Sequence, residues 1–124
     1  MAEERQGFLI KEDTFGSVTV SDEVIAIIAA LTTLEVEGVA SMAGNISRDI
    51  ISRLGMKNLS RGVHIEREDG RIYVYVSLNI AYGYSIPEVS LHVQEKIKTA
   101  VNNMTGLQIA EVNVRIADVD LKTE

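Results

Sequence analysis

Two segments of the chain carry apolar residues at the spacing of an α-helix. In the first segment, Ser21 is a suitable N-cap and a helix is predicted to run to about Leu34. Its apolar positions cover more than one helical face, which predicts deep burial: Val24, Ile25, Ile27, Ile28, Leu31 and Leu34. In the second segment, residues 85–88 have the spacing of a capping box and predict a long helix to about Met104. One apolar stripe follows this helix: Val89, Val93, Ile97, Ala100, Val101 and Met104.

A shorter helical pattern lies between these two segments, with Gly55 as a suitable stop. Its apolar positions are Ile46, Ile50, Ile51 and Leu54. Gly38 follows the first helix as Gly106 follows the long one, and both are predicted to be joints with positive φ. The spacing from Gly38 to Gly44, without a following lysine, does not fit a phosphate-binding loop.

Alternation of apolar and polar residues predicts strands at residues 16–20 and 109–119, and a hairpin of residues 63–66 with 72–80. Residues 68–70, Glu-Asp-Gly, form the hairpin turn. In the second arm of the hairpin, the aliphatic residues share the predicted core face: Ile72, Val74, Val76, Leu78 and Ile80. The opposite face carries Tyr73, Tyr75, Ser77 and Asn79.

This order of elements predicts an α+β fold in which helices pack on one face of a small, mostly antiparallel sheet. Two strand-helix-strand halves then flank the central hairpin. Residues 15–120 are predicted to form a single domain, and residues 121–124 a C-terminal tail. Residues 1–14 are predicted to be a flexible N-terminal arm, which can add a short strand through Phe8, Leu9 and Ile10.

Composition narrows the class of protein further. The 124 residues are 46% hydrophobic and 24% charged, as in a soluble globular domain. The N-terminus lacks the features of a signal peptide, and no apolar run approaches the roughly 20 residues of a membrane-spanning helix. We therefore expect a cytoplasmic protein without direct membrane insertion. The absence of cysteine excludes thiolate chemistry, and a net charge of −6 argues against a nucleic-acid partner.

No pattern indicates a catalytic, metal-binding or cofactor-binding site. His92 and Glu95 are spaced to share a helix face, but two ligands do not define a metal site. His64 stands on a predicted strand without a pattern typical of metal ligands. The serines lack the G-x-S-x-G context of a nucleophile, and the chain has no G-x-x-G loop of a nucleic-acid module. We predict that the protein is not an enzyme.

Two features suggest contact surfaces. The first is a basic segment within residues 41–62, where four basic residues and one acid, Asp49, give +3: Arg48, Arg53, Lys57 and Arg61. This segment is either a partner contact or a solvated helix face. The second is a group of four tyrosines, of which Tyr73 and Tyr75 lie on the face opposite the core. These two rings either meet a partner or form cross-strand pairs on a half-exposed sheet.

Three stretches, taken together, carry a family resemblance: GSVTVSDEVIAIIAALTTLEVEGVASM, SRGVHIE and IAYGYSIPEVSLHVQEKIKTAVNNMTGLQIAEVNVRIADVD. They resemble the alkaline shock protein family of Gram-positive bacteria, also called the envelope stress response family. The likeness covers about residues 15–120. It implies a small α+β domain without known enzymatic activity, which reaches the membrane through a membrane-anchored partner and can self-assemble. The chain is similar to the short, domain-only branch.

The leading hypothesis is therefore a non-enzymatic scaffold or adaptor that acts through protein contacts at the cytoplasmic side of the cell envelope. Its expected partners are proteins, including a membrane-anchored one and a second copy of the chain. The alternative is a ligand-binding or accessory domain that regulates an enzyme, for instance in lipid metabolism. A pocket between the long helix and the sheet would favour the alternative.

Overall fold

The structure, a computed structural model, describes residues 7–44 and 60–121. The short helix predicted around Ile46 to Leu54 lies outside these residues. The described elements are β1 (Gly7–Asp13), β2 (Gly16–Ser21), α1 (Asp22–Leu34), β3 (Val39–Met42), β4 (Val63–Glu68), β5 (Arg71–Ala81), α2 (Ile86–Thr105) and β6 (Ile109–Asp120).

Strand β5 is the centre of the four-stranded main sheet. One of its edges pairs antiparallel with two strands, with β4 along residues 71–76 and with β3 along residues 78–80. Its other edge pairs with β6 in parallel along residues 72–81. The α+β class and the mostly antiparallel pairing are confirmed. The β5–β6 pair is parallel because the helix between them carries the chain back to the end of the sheet where β5 begins.

Strands β1 and β2 form a separate antiparallel ribbon, so the first strand-helix-strand half does not repeat the second. Residues 7–13 of the predicted flexible arm are thus a paired strand that includes Phe8, Leu9 and Ile10. Phe8 of this ribbon is buried in the core, and Arg67 of β4 contacts it there. Its guanidinium carbon lies 4.6 Å from the centre of the Phe8 ring, and its Nη2 lies 3.2 Å from Asp22 Oδ1 at the start of α1.

Both long helices begin where their capping residues predict. Ser21 Oγ accepts a hydrogen bond from Val24 N at 3.2 Å, and Ser85 Oγ accepts one from Glu88 N at 3.3 Å. The residues of α2 that face the sheet are buried: Val89, Val93, Ile97 and Val101. The helix ends at Thr105, close to the predicted end at Met104, but Met104 itself does not join the buried part of the stripe, since it is 69% exposed.

Gly38 confirms the predicted joint. Its φ is 102°, and its carbonyl accepts a hydrogen bond from Ala81 N at 2.8 Å. The β4–β5 turn has the same backbone requirement, since Asp69 and Gly70 have φ of 54° and 77°. Two consecutive residues with positive φ match the tight hairpin turn expected from Asp-Gly.

The core lies between the two helices and the aliphatic face of β5, whose five predicted core residues are all buried. Asn79 does not follow the prediction of a polar exposed face, because it is 4% exposed. Its Nδ2 donates to Ser41 Oγ at 3.0 Å and to Met42 O at 3.3 Å. Asn79 is therefore a buried polar residue that joins β5 to β3. On the face of β5 opposite the core, Ser77 is the last residue before this buried position.

Candidate interaction surface

The face of the main sheet opposite the helices carries a platform of polar and aromatic side chains on three strands. We call it the open face, and we define it by the residues that stand opposite one another in the register: His64 and Glu66 of β4, Tyr73, Tyr75 and Ser77 of β5, and Glu111, Asn113 and Arg115 of β6. Residues directly opposite each other on neighbouring strands present their side chains on the same face. The open face is therefore continuous across the sheet.

Tyr75 is the exposed aromatic residue at the middle of the open face. In the strand register, Tyr75 stands opposite His64 of β4 and opposite Asn113 of β6. The centres of the Tyr75 and His64 rings are 6.1 Å apart, and the ring planes are inclined by 41°. Tyr75 nevertheless stays 40% exposed. A cross-strand pair thus orients the ring without covering it.

Tyr73 is half-buried between two acidic residues, with Glu66 opposite it on β4 and Glu111 opposite it on β6. Glu66 Oε2 also lies 3.0 Å from Nε2 of His64, two residues earlier on the same strand. The sequence predictions missed this pair, although the spacing of two residues on a strand places both side chains on one face. This part of the open face combines an aromatic ring with carboxylates.

The other two tyrosines lie outside the open face. Tyr82 is 70% exposed in the connection after β5, and its backbone N donates to Asp120 O at 3.0 Å. Tyr84 packs against Gly38, and its hydroxyl lies 3.4 Å from Glu37 Oε2. The group of four tyrosines seen in the sequence therefore divides into two surface residues on the sheet and two in the connection to α2.

Of the basic segment, the structure describes Arg61, which is exposed in a short turn directly before β4. Arg48, Arg53 and Lys57 lie outside the described residues. The role of the basic segment remains a prediction.

A groove of about 510 Å³ runs along β6 and α2 at the outer edge of the sheet. It is lined by Leu91, Gln94, Glu95 and Lys98 of α2 and by residues 110–113 of β6. The space between α2 and the sheet itself is filled by the buried valines and isoleucine of the helix stripe. The groove therefore lies outside the packed core, along the edge of β6.

Residues 7–44 and 60–121 contain no group of three or more His, Cys, Asp and Glu side chains placed to hold a metal ion. Within the same ranges, neither helix is both long and apolar enough to cross a membrane.

Comparison with known proteins identifies the family. Residues 10–121 match the model of the alkaline shock protein family, which is described as having a cell envelope-related function. The protein therefore belongs to the alkaline shock protein family, and the resemblance found in the sequence is confirmed. No solved structure matches the chain.

Two relatives come from Bacillus subtilis, and both are named as uncharacterized. YqhY is 39% identical over 114 residues, which cover 91% of this chain and 84% of the relative. YloU is 33% identical over 107 residues, which cover 85% of this chain and 89% of the relative. A Streptococcus pyogenes protein named stress response regulator gls24 homolog is 24% identical over 110 residues, 88% of this chain and 62% of that protein.

Proposed function

We propose that the protein is a non-enzymatic scaffold or adaptor that binds another protein through the open face of its main sheet. The observation that carries this proposal is the exposure of Tyr75 at the centre of that face, held in place by His64. Tyrosine is enriched at protein interfaces because its ring buries apolar area while its hydroxyl keeps a hydrogen-bond partner. An oriented ring also loses little conformational entropy on binding.

The residues around the two rings define the chemistry of the partner. Tyr73 stands between Glu66 and Glu111, so a partner side chain that reaches this ring meets two carboxylates. A lysine or arginine fits this position, because a cation gains from both the ring face and the acids. The proposed partner surface therefore presents apolar area opposite Tyr75 and a basic residue opposite Tyr73.

The cell envelope-related function of the family supports a location for this contact at the envelope. Its placement on the cytoplasmic side is part of the proposal. Since neither described helix is suited to crossing a membrane, recruitment through a membrane-anchored partner fits the described part of the chain. Arg61 and the rest of the basic segment form a second proposed contact region. The name of the gls24 relative, stress response regulator, supports a role in a stress response.

The proposal is tested by photocrosslinking in a Gram-positive host. A photoreactive phenylalanine analogue is placed at Tyr75, and in a matched variant at Tyr82, which is exposed but lies off the open face. We expect a protein adduct in the membrane fraction from position 75 and none of the same mass from position 82. Equal adducts from both positions, or none from position 75, would contradict the proposal.

A further inference from the structure

The outer edge of β6 is a long strand edge. β6 has 12 residues, and one of its edges pairs with β5. On its other edge, no strand within residues 7–44 or 60–121 pairs with it. The backbone N–H and C=O groups of such an edge are a template for another strand.

Two contacts show which residues of β6 direct their backbone groups outward. Gln94 Nε2 donates to Val112 O at 3.0 Å, and Lys98 Nζ donates to Ala110 O at 3.4 Å. Alternate residues of a strand direct their backbone groups to opposite edges. Ala110 and Val112, and by the same alternation Val114, therefore present theirs to the outer edge.

We propose that this edge pairs antiparallel with the same edge of a second copy of the chain, with Asn113 at the two-fold axis. In this register Glu111 stands opposite Arg115 of the second copy, and Arg115 stands opposite its Glu111. Both side chains are exposed and lie on the open face. Opposite charges placed directly across an antiparallel pair stabilise it. The edge is thus complementary to itself, as a two-fold interface requires.

The alternatives in register are less favourable. A two-fold axis at Glu111 or at Arg115 places like charges opposite each other, and an axis at Val112 or Val114 leaves both charges without an opposite charge across the interface. With the axis at Asn113, Val112 meets Val114 of the second copy on the core side of the sheet, where both are at least half-buried. Charge and hydrophobicity therefore select one register.

The groove beside β6 fits this arrangement. Leu91 is 51% exposed there, next to Glu95 and Lys98, which carry opposite charges. Two-fold pairing places the groove of the second copy alongside, so that Leu91 gains apolar contacts. On pairing, the carbonyls of Val112 and Ala110 exchange their hydrogen bonds from Gln94 and Lys98 for hydrogen bonds from backbone amides of the second copy. Because both helix side chains are long and lie on the surface, they move aside without disturbing the core.

Pairing would join the open faces of two copies into one continuous surface, which presents Tyr75 twice. It goes beyond the proposed function and does not depend on it, since it uses the strand edge. A monomeric protein that still binds a partner through Tyr75, and a dimer that binds no partner, are distinguishable results.

Sedimentation equilibrium of the whole chain tests the pairing. We expect the wild type to form dimers as its concentration rises, and to dissociate as salt is added, since exposed charges are screened. Glu111→Arg and Arg115→Glu each turn two attractive pairs into repulsive ones, so each should raise the dimer Kd by about 30-fold. Thermal midpoints at low concentration check that both variants fold.

The decisive sample is a mixture of the two single variants. In a mixed dimer, arginine at 111 meets glutamate at 115, and Arg115 meets Glu111, so dimers should return to wild-type strength. The double variant Glu111→Arg with Arg115→Glu should also dimerise. Three results would overturn the proposal: a wild type that is monomeric at every concentration, which would leave the edge to a strand of another protein; single variants that dimerise normally; or a mixture that stays monomeric.

Discussion

Gly38 lies so close to Val89 that a β-carbon at position 38 would be 2.7 Å from Val89 Cγ2. The same β-carbon would be 3.0 Å from Cδ1 of Tyr84. Gly38 follows α1, whereas the other two residues belong to the start of α2 and the connection before it. The absence of a side chain at Gly38 therefore lets the connection after the first helix pack against the beginning of the second.

We predict that Gly38→Ala destabilises the fold by about 3 kcal/mol, through the combined cost of positive φ and of overpacking. Gly106→Ala is the matched control, because Gly106 has φ of 81° but open space where a β-carbon would lie. It should cost about 1 kcal/mol, from the backbone alone. Urea unfolding of both variants measures the difference. Equal losses would show that the contacts with Val89 and Tyr84 relax without cost.

The buried pair of Asn79 and Ser41 should hold β3 against β5. Asn79→Ala removes the hydrogen bonds to Ser41 Oγ and Met42 O and leaves both acceptors without this donor, so we expect a loss of about 2 kcal/mol. The control is Asn103→Ala on the exposed surface of α2, which should change stability by less than about 0.5 kcal/mol. Denaturant unfolding midpoints of Asn79→Ala and Asn103→Ala, each against the wild type, measure the two losses. A loss at Asn79 no greater than at Asn103 would refute the structural role.

Arg67 should stabilise the packing of the β1–β2 ribbon on the rest of the domain, because it contacts both the Phe8 ring and Asp22. We predict that Arg67→Ala costs about 1 kcal/mol and speeds amide exchange in β1. Lys11→Ala is the control, since the Lys11–Asp13 ion pair is exposed and 3.6 Å long. Hydrogen exchange followed by mass spectrometry measures the protection of the β1 amides in both variants. Unchanged protection of β1 in Arg67→Ala would assign the attachment to other contacts.

Local signals in the sequence were sufficient for much of the fold. Ser21 and Ser85 mark the starts of the helices, and Asp69-Gly70 marks the hairpin turn, because capping and positive φ depend on residues close in the chain. The alternation along β5 also identified Tyr73 and Tyr75 as residues opposite the core. These are the two rings on which the candidate interaction surface depends.

Properties that depend on distant residues were harder to predict. The burial of Asn79 accompanies its hydrogen bond with Ser41, which is 38 residues away, and no local sequence pattern predicts such a partner. Met104 is exposed because it lies one turn beyond Val101, the last buried residue of α2. The parallel pairing of β6 was missed although a signal was present. A strand, a 20-residue helix and a second strand favour a parallel crossover.

The proposed role of the open face is to bind a protein partner through Tyr73 and Tyr75. Affinity purification from the native membrane fraction tests it directly, with wild type, a Tyr73→Ser/Tyr75→Ser variant and a Tyr82→Ser control, each checked by its thermal midpoint. We predict that the double variant folds but recovers at least about 10-fold less partner, while the Tyr82 control recovers the wild-type amount. Equal recovery by a folded double variant and the wild type would contradict the account.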